Sequence, residues 1–324
     1  MNEKRVRDAI EFSDTDELLR IVDGAIAAQE WDPLLTLRVR MAEALGRGRQ
    51  LWGVDQHVRY RLALEGPAPL AAQAVDEGPA RFALGPLTEV AANRHTFAEL
   101  APHLGPGPSR SLVAHERVIA GEEIDPELVP DNQLELPLQL FDWEPVYALP
   151  VYHSDRVEAL SPPLPAMSRV ALPDSAEIVD DHPSTEALLG LVLPWLEESN
   201  GRAQAICAEG PAPAALKALG VPAAEIAPVP IGEAMAHMAW AAASGGAEGR
   251  RRGGASGRFQ AWHTIATLAG YEWPASATTV TAAAGELDWF VWSDFAPAIG
   301  WVLHLAAHDR AENLSWALAA RDEA

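Results

Sequence analysis

Four arginines, Arg250, Arg251, Arg252 and Arg258, stand among glycine, alanine and serine in GGAEGRRRGGASGR, residues 245–258. Guanidinium groups grip carboxylates and phosphates through paired N–H donors, and glycine-rich turns let successive backbone N–H groups face one concavity. The segment joins two helical patterns, so the amino end of the second, near Ser256 and Arg258, would add positive potential for an anion. Four arginines against Glu248 sum to +3 in a chain of net charge -22, which marks this stretch as the place for an external anion. The same residues have a plainer use, as partners for the chain's own carboxylates or as a solvated loop. No strand precedes the glycines, so this is not the dinucleotide fingerprint.

Histidines supply the other chemistry. His237 and His263 lie on the helical segments that flank the arginines, and an antiparallel pairing of those helices would give an acid–base pair beside an anion site. Two ordinary half-buried rings are the alternative. His304 and His308, four apart, share a face in strand or helix, and with Asp309 they form a weak candidate metal set. The glutamate of a HExxH helix is missing, and a hairpin that displays histidines on its polar face explains the pair equally. His153, Ser154 and Asp155 are consecutive and so cannot form a catalytic triad by themselves. No GxSxG elbow occurs.

Several chemistries are excluded by composition. Lys4 and Lys217 are the only lysines against 22 arginines, and neither has the context of a phosphate-binding loop. Cys207 is the only cysteine, which removes disulfides within the chain and thiolate zinc clusters. Its apolar surroundings, AQAICAEG, read as a buried strand. The acidic balance speaks against broad nucleic-acid binding. No apolar run of membrane-spanning length and no signal peptide is recognisable, so the expectation is a cytoplasmic protein with neither nucleic-acid nor membrane partners.

The elements that must hold these residues divide the chain in two. Residues 1–121 read as helical: DTDELLRIVDGAIAAQE carries Leu18, Ile21, Val22 and Ile26 at helical spacing behind Ser13 or Asp14 as cap. Further helices fit 33–46, 55–63, 69–75, 95–103 and 108–120, short and closely linked as in an α-solenoid. Residues 122–138 are acidic and proline-punctuated, a linker. Residues 139–324 read as an α+β domain with a proline-rich loop, strands near 203–208 and 225–229, and helices at 184–198, 213–219, 232–243 and 257–268. The β-α-β order suggests a crossover pair. At the C-terminus LDWFVWSDF, GWVLHLAAHD and ENLSWALAARD read as antiparallel strands, the last two a hairpin. Seven of the eleven tryptophans fall from Trp240 onward, so Trp289, Trp292, Trp301 and Trp316 are expected in the core.

Two stretches carry a resemblance: RFALGPLTEVAANRHTFAELAPHL with SLVAHERVIAGEE, and AWAAASGGAEGRRRGGASGRFQAW with the terminal hairpin. Both look similar to a family of GC-rich, mostly actinobacterial proteins of unknown function. The resemblance implies a shared architecture that includes the arginine loop and the hairpin, and it carries no activity, cofactor or catalytic residue. Three functional expectations stand side by side. The first is a noncatalytic intracellular binding or scaffold protein that engages a protein partner or small anionic ligand through residues 245–258. The second is an enzyme for a phosphorylated or carboxylated small molecule, with the arginines as clamp and His237 or His263 as acid–base residue. The third is a metal-dependent hydrolase built on His304, His308 and Asp309.

Overall fold

Caps and apolar spacing set the helices of the amino-terminal part. Residues 2–297 and 299–323 are described by a computed structural model. In α1 (Glu3–Glu11), Val6, Ala9 and Ile10 are buried; this helix lies ahead of the first pattern recognised in the sequence. α2 (Thr15–Ala27) starts where the Asp14 side chain accepts a hydrogen bond from the Glu17 N–H, and it buries Leu18, Ile21, Val22 and Ile26. There follow α3 (Trp31–Gly46), α4 (Trp52–Glu65), α5 (Ala68–Asp76), α6 (Leu87–Arg94), α7 (Phe97–Leu100) and α8 (Pro108–Ile119). The helix expected over 95–103 is split: a capping box between Thr96 and Glu99 opens α7, and a 3-10 turn at Ala101–His103 closes it at a proline that has no N–H to give.

The contacts of the chain fall into two units, the first comprising Met1–Arg117, Glu127–Gln133 and Val151–Glu158. The last segment is a short hairpin, β1 (Val151–Tyr152) with β2 (Val157–Glu158). Two tyrosines fix it: Tyr60 donates its hydroxyl to the His153 carbonyl, and Tyr152 donates to the Glu89 carboxylate.

The second unit comprises Val118–Pro126, Leu134–Pro150 and Ala159–Ala324. Its elements run β3 (Ser168–Val170), β4 (Ile178–Val179), α9 (His182–Gly190), α10 (Leu193–Glu198), β5 (Arg202–Glu209), α11 (Ala212–Ala218) and β6 (Ala224–Val229). Then come α12 (Ile231–Ala243), α13 (Gly254–Leu268), α14 (Ala277–Glu286), β7 (Leu287–Ser293), β8 (Trp301–Asp309) and β9 (Leu314–Asp322). Among the described residues the strands form one seven-stranded sheet of order β3-β6-β7-β8-β9-β5-β4 with every neighbouring pair antiparallel. The protein is thus of the α+β class. The expected crossover takes a different form. β5 and β6 point the same way, yet β7, β8 and β9 lie between them, because the C-terminal strands fill the gap and pair antiparallel on both sides.

Strand alternation gives this sheet two buried faces. Leu287, Trp289, Val291, Leu303, Leu305, Trp316 and Leu318 face the larger cluster, where Trp195, Trp262, Met235 and Met238 complete the core. Trp292, Ala306 and Ala317 face the smaller cluster under α11. Burial on both sides explains why the C-terminal strands read as almost unbroken apolar runs.

Candidate binding cleft beside His237

At the start of α12 the proline N-cap, Pro230, turns the chain so that Gly232, Glu233, Ala236 and His237 share one helix face. This face forms one wall of a cleft of about 590 Å³, and residues 145–148 and 162–165 form the rest. The size falls within the range of ligand sites in proteins. Pro145, Pro162, Pro163, Pro165 and Pro230 have no N–H, so the walls offer few donors and a largely apolar surface. Gly232 seats the helix closely: a Cβ there would lie 3.2 Å from the Trp143 carbonyl oxygen. At the rim Val146 is 99% exposed and Leu164 57%.

Among the described residues His237 is the one imidazole that lines the cleft, and 6% of it is accessible. Its ring donates to the Pro163 carbonyl, which raises its pKa, but burial outweighs this and lowers it. The ring is therefore neutral at neutral pH. Glu233, one turn earlier, is exposed at the mouth. The cleft can hold an apolar body and meet a donor or positive charge at one end.

The arginine loop is built otherwise than its composition suggests. Arg258 is 0% exposed, and its side chain holds Glu144: Nε donates to Oε2 at 2.7 Å and one Nη2 hydrogen to Oε1 at 2.8 Å. The remaining contacts are with the Pro137 and Gln139 carbonyls at 2.8 and 2.9 Å. Glu144 also accepts from the Tyr147 hydroxyl at 2.8 Å, the Trp262 Nε1–H at 3.2 Å and the Phe141 N–H at 3.1 Å. Burial first, and Glu144 second, raise the Tyr147 pKa well above its usual value. Arg252 pairs with Glu198 at 2.8 Å. Backbone N–H groups that a nest would aim at an anion are also taken: Ala247 donates to Asp322, Glu248 to Ser199 and Arg250 to Glu198. Gly245 and Gly249 pack so tightly that a Cβ on either would lie 2.2–2.3 Å from backbone of the other. Ser256 sits in the first turn of α13 and Arg251 is half-buried. Arg252 and Arg258 thus hold carboxylates of the chain itself, while Arg250 is exposed.

A family model matches residues 16–324, the whole second unit and nearly all of the first. The chain belongs to DUF6183, a family of unknown function. No curated protein and no solved structure matches it. The DUF6183 match spans the arginine loop, the cleft beside His237 and the terminal hairpin.

The other candidate histidines do not line the cleft. His263 packs with Phe259 and Trp273, ring centroids 6.3 and 6.1 Å away, and burial lowers its pKa. It is not a lining residue of the cleft, so the pairing with His237 has no shared ligand space. His304 stacks on Trp292 at 4.1 Å and His308 lies 3.8 Å from Asp288. Four residues of strand separate them by roughly 13 Å along β8, too far for one ion. Asp309 alternates to the opposite face and accepts from the Ala311 and Glu312 N–H groups of the turn. Among the described residues no three His, Cys, Asp or Glu side chains are placed to hold a metal ion. Cys207 is buried, with its thiol pushed up to about 12 by burial, and is inert filler. Likewise, no described helix is long and apolar enough to cross a membrane.

Sequence reasoning missed the proline-lined wall. Its signal was Val146 and Leu164 set among prolines, which cannot join a central strand and so leave apolar side chains with no core to enter.

Proposed function

We propose that this protein works by binding, without chemistry of its own, and that the cleft beside His237 takes an extended apolar segment of a partner protein with a basic residue set against Glu233. The observation that carries this reading is the open cleft of about 590 Å³ whose rim leaves Val146 99% exposed. Apolar surface left uncovered around a concavity marks an interaction site more often than an accident of composition. Charge supports the choice of partner, since the chain carries -22 and its cleft mouth a carboxylate. A neutral His237 tied to the Pro163 carbonyl serves as part of the wall.

Binding through the arginine loop itself loses support because Arg258 and Arg252 hold internal carboxylates. The enzyme reading needed the same arginines beside His237 or His263. The setting we propose is the cytoplasm of a GC-rich, actinobacterial-type bacterium, on the strength of the arginine-for-lysine bias and of a sequence without an apolar run of membrane-spanning length.

The test is an array of random octapeptides probed with the purified full chain and with Ala236→Trp, which fills the cleft floor. Enriched peptides should combine aliphatic residues with Arg or Lys and should be lost with the variant, whose thermal unfolding stays that of the parent. An array without enrichment, or enrichment indifferent to Ala236→Trp, refutes the reading.

A further inference from the structure

The amino-terminal unit holds a second concavity of about 480 Å³, with quite different walls. One side comes from α4, where Gly53, His57 and Arg61 recur every fourth residue and so stack along one face. Asp23 of α2 stands against them. Phe82, 53% exposed, comes from the segment after α5, and Asp155 from the turn of the hairpin that Tyr60 fixes.

The charges here are unequal. Arg61 is buried and donates from Nη1 to one oxygen of Asp23 and from Nε to Glu65 at 2.5 Å. One positive against two negative charges leaves that trio at -1. The second Asp23 oxygen accepts no hydrogen bond among the described residues, and the Asp23 side chain is largely open to solvent. Asp155 is also exposed, with Arg156 at 3.6 Å as its charged neighbour. His57 adds no positive charge: burial, and then Arg61, lower its pKa. The Phe82 ring is braced by Trp52 at 4.5 Å, tilted by 43°. An aromatic surface beside carboxylates attracts an organic cation twice, through the ring quadrupole and through charge. An anion would meet Arg61 only behind its own two carboxylates.

We propose that this cavity binds an alkylguanidinium or alkylammonium cation, with its charge held by Asp23 and Asp155 beside the face of Phe82. The shared chemistry is that of a small free amine or of an arginine or lysine side chain on another protein. The site lies in a different unit from the cleft beside His237 and does not depend on it.

Calorimetric titration of the full chain decides the matter, with butylguanidinium as cation, butylurea as its uncharged analogue and butyrate as anion. Butylguanidinium should bind one to one, and butylurea and butyrate at least about tenfold more weakly. Gly53→Leu should abolish binding without loss of fold, because a Cβ at Gly53 meets nothing within 4 Å and the added side chain extends into the cavity. Asp23→Asn should weaken it about tenfold while still accepting from Arg61. The peptide Ac-Gly-Gly-Arg-Gly-Gly-amide separates the sources: if it binds like butylguanidinium the site reads a side chain, and if it does not the site takes a free amine. The proposal falls if butylurea or butyrate binds as tightly, if both variants keep the parent affinity, or if butylguanidinium shows no saturation below about 10 mM.

Discussion

Arg258→Met tests whether the most buried arginine is a structural staple. Methionine keeps most of the stem that passes the Trp262 ring, where the guanidinium carbon lies 5.5 Å from the centroid. What it removes is the charge. Glu144, whose side chain is 0% exposed, then keeps three donors, Tyr147, Trp262 and Phe141, but no counter-ion, and the Pro137 and Gln139 carbonyls lose theirs. Breaking one side of a buried ion pair costs about 3–5 kcal/mol. In a unit of about 190 residues each kcal/mol moves the midpoint about 2–4 °C, so the melting temperature should fall by roughly 6–20 °C. Differential scanning calorimetry reads this directly. Glu144→Met should cost a similar amount, and the double variant Arg258→Met/Glu144→Met should be no worse than either single one, a coupling of about 3 kcal/mol or more. Added phosphate or citrate should leave the parent's melting temperature unchanged at equal ionic strength. A loss below about 1 kcal/mol for Arg258→Met, strictly additive singles, or a phosphate-dependent rise would refute the staple and return Arg258 to the surface as an anion clamp.

Other perturbations follow from the same packing. His304 is held near a pKa of about 4 instead of 6.5, by burial first and by Arg321 second. The unfolded ring takes up its proton below about 6.5 and the folded one only near 4, so stability is lost as pH falls through that window, by roughly 3 kcal/mol; urea titrations of His304→Phe should show that slope reduced. Gly257→Val should cost about 1–3 kcal/mol in urea unfolding, since its Cβ would lie 2.2 Å from the Ala239 carbonyl oxygen and 3.0 Å from the Ala243 Cβ, which forces α12 and α13 apart. Arg252→Ala should cost less than about 1 kcal/mol, because its pair with Glu198 is 42% and 38% exposed; a larger loss would mean that the loop depends on this contact more than its exposure allows.

The α+β class and the terminal hairpin were legible because they rest on local signals. Leu18, Ile21, Val22 and Ile26 fall on one face of a 3.6-residue period, and Asp14 is a cap by its chemistry alone. The tryptophans from Trp289 to Trp316 announced a core because large aromatic surfaces need burial, and three of the four are almost wholly inside. Sheet order was not legible: placing β7, β8 and β9 between β5 and β6 is a long-range choice that no window of sequence contains. The same holds for sites. Arg258 and Glu144 lie 114 residues apart, and nothing near either names the other. His237 was singled out by its place on a helix beside the arginines, but most of the prolines that make its cleft come from segments about 70 to 90 residues earlier.

Composition explains the internal pairing of Arg252 and Arg258. The chain holds 46 acidic residues against 24 basic ones, so a guanidinium that enters the fold meets internal carboxylates in excess. Arg61 takes Asp23 and Glu65, Arg252 takes Glu198, Arg258 takes Glu144, and Arg321 takes Asp294. Buried cations without partners are far too costly to persist, while surplus carboxylates stay solvated at the surface at little cost. In such a chain an arginine cluster is therefore evidence of internal pairing first, and the binding proposed above falls to what the pairing leaves over: apolar surface that no core absorbed, as at Val146 and Leu164, and a carboxylate oxygen that accepts no hydrogen bond among the described residues, as at Asp23. A net charge far from zero also steers encounter, and at -22 it favours partners that bring positive charge of their own.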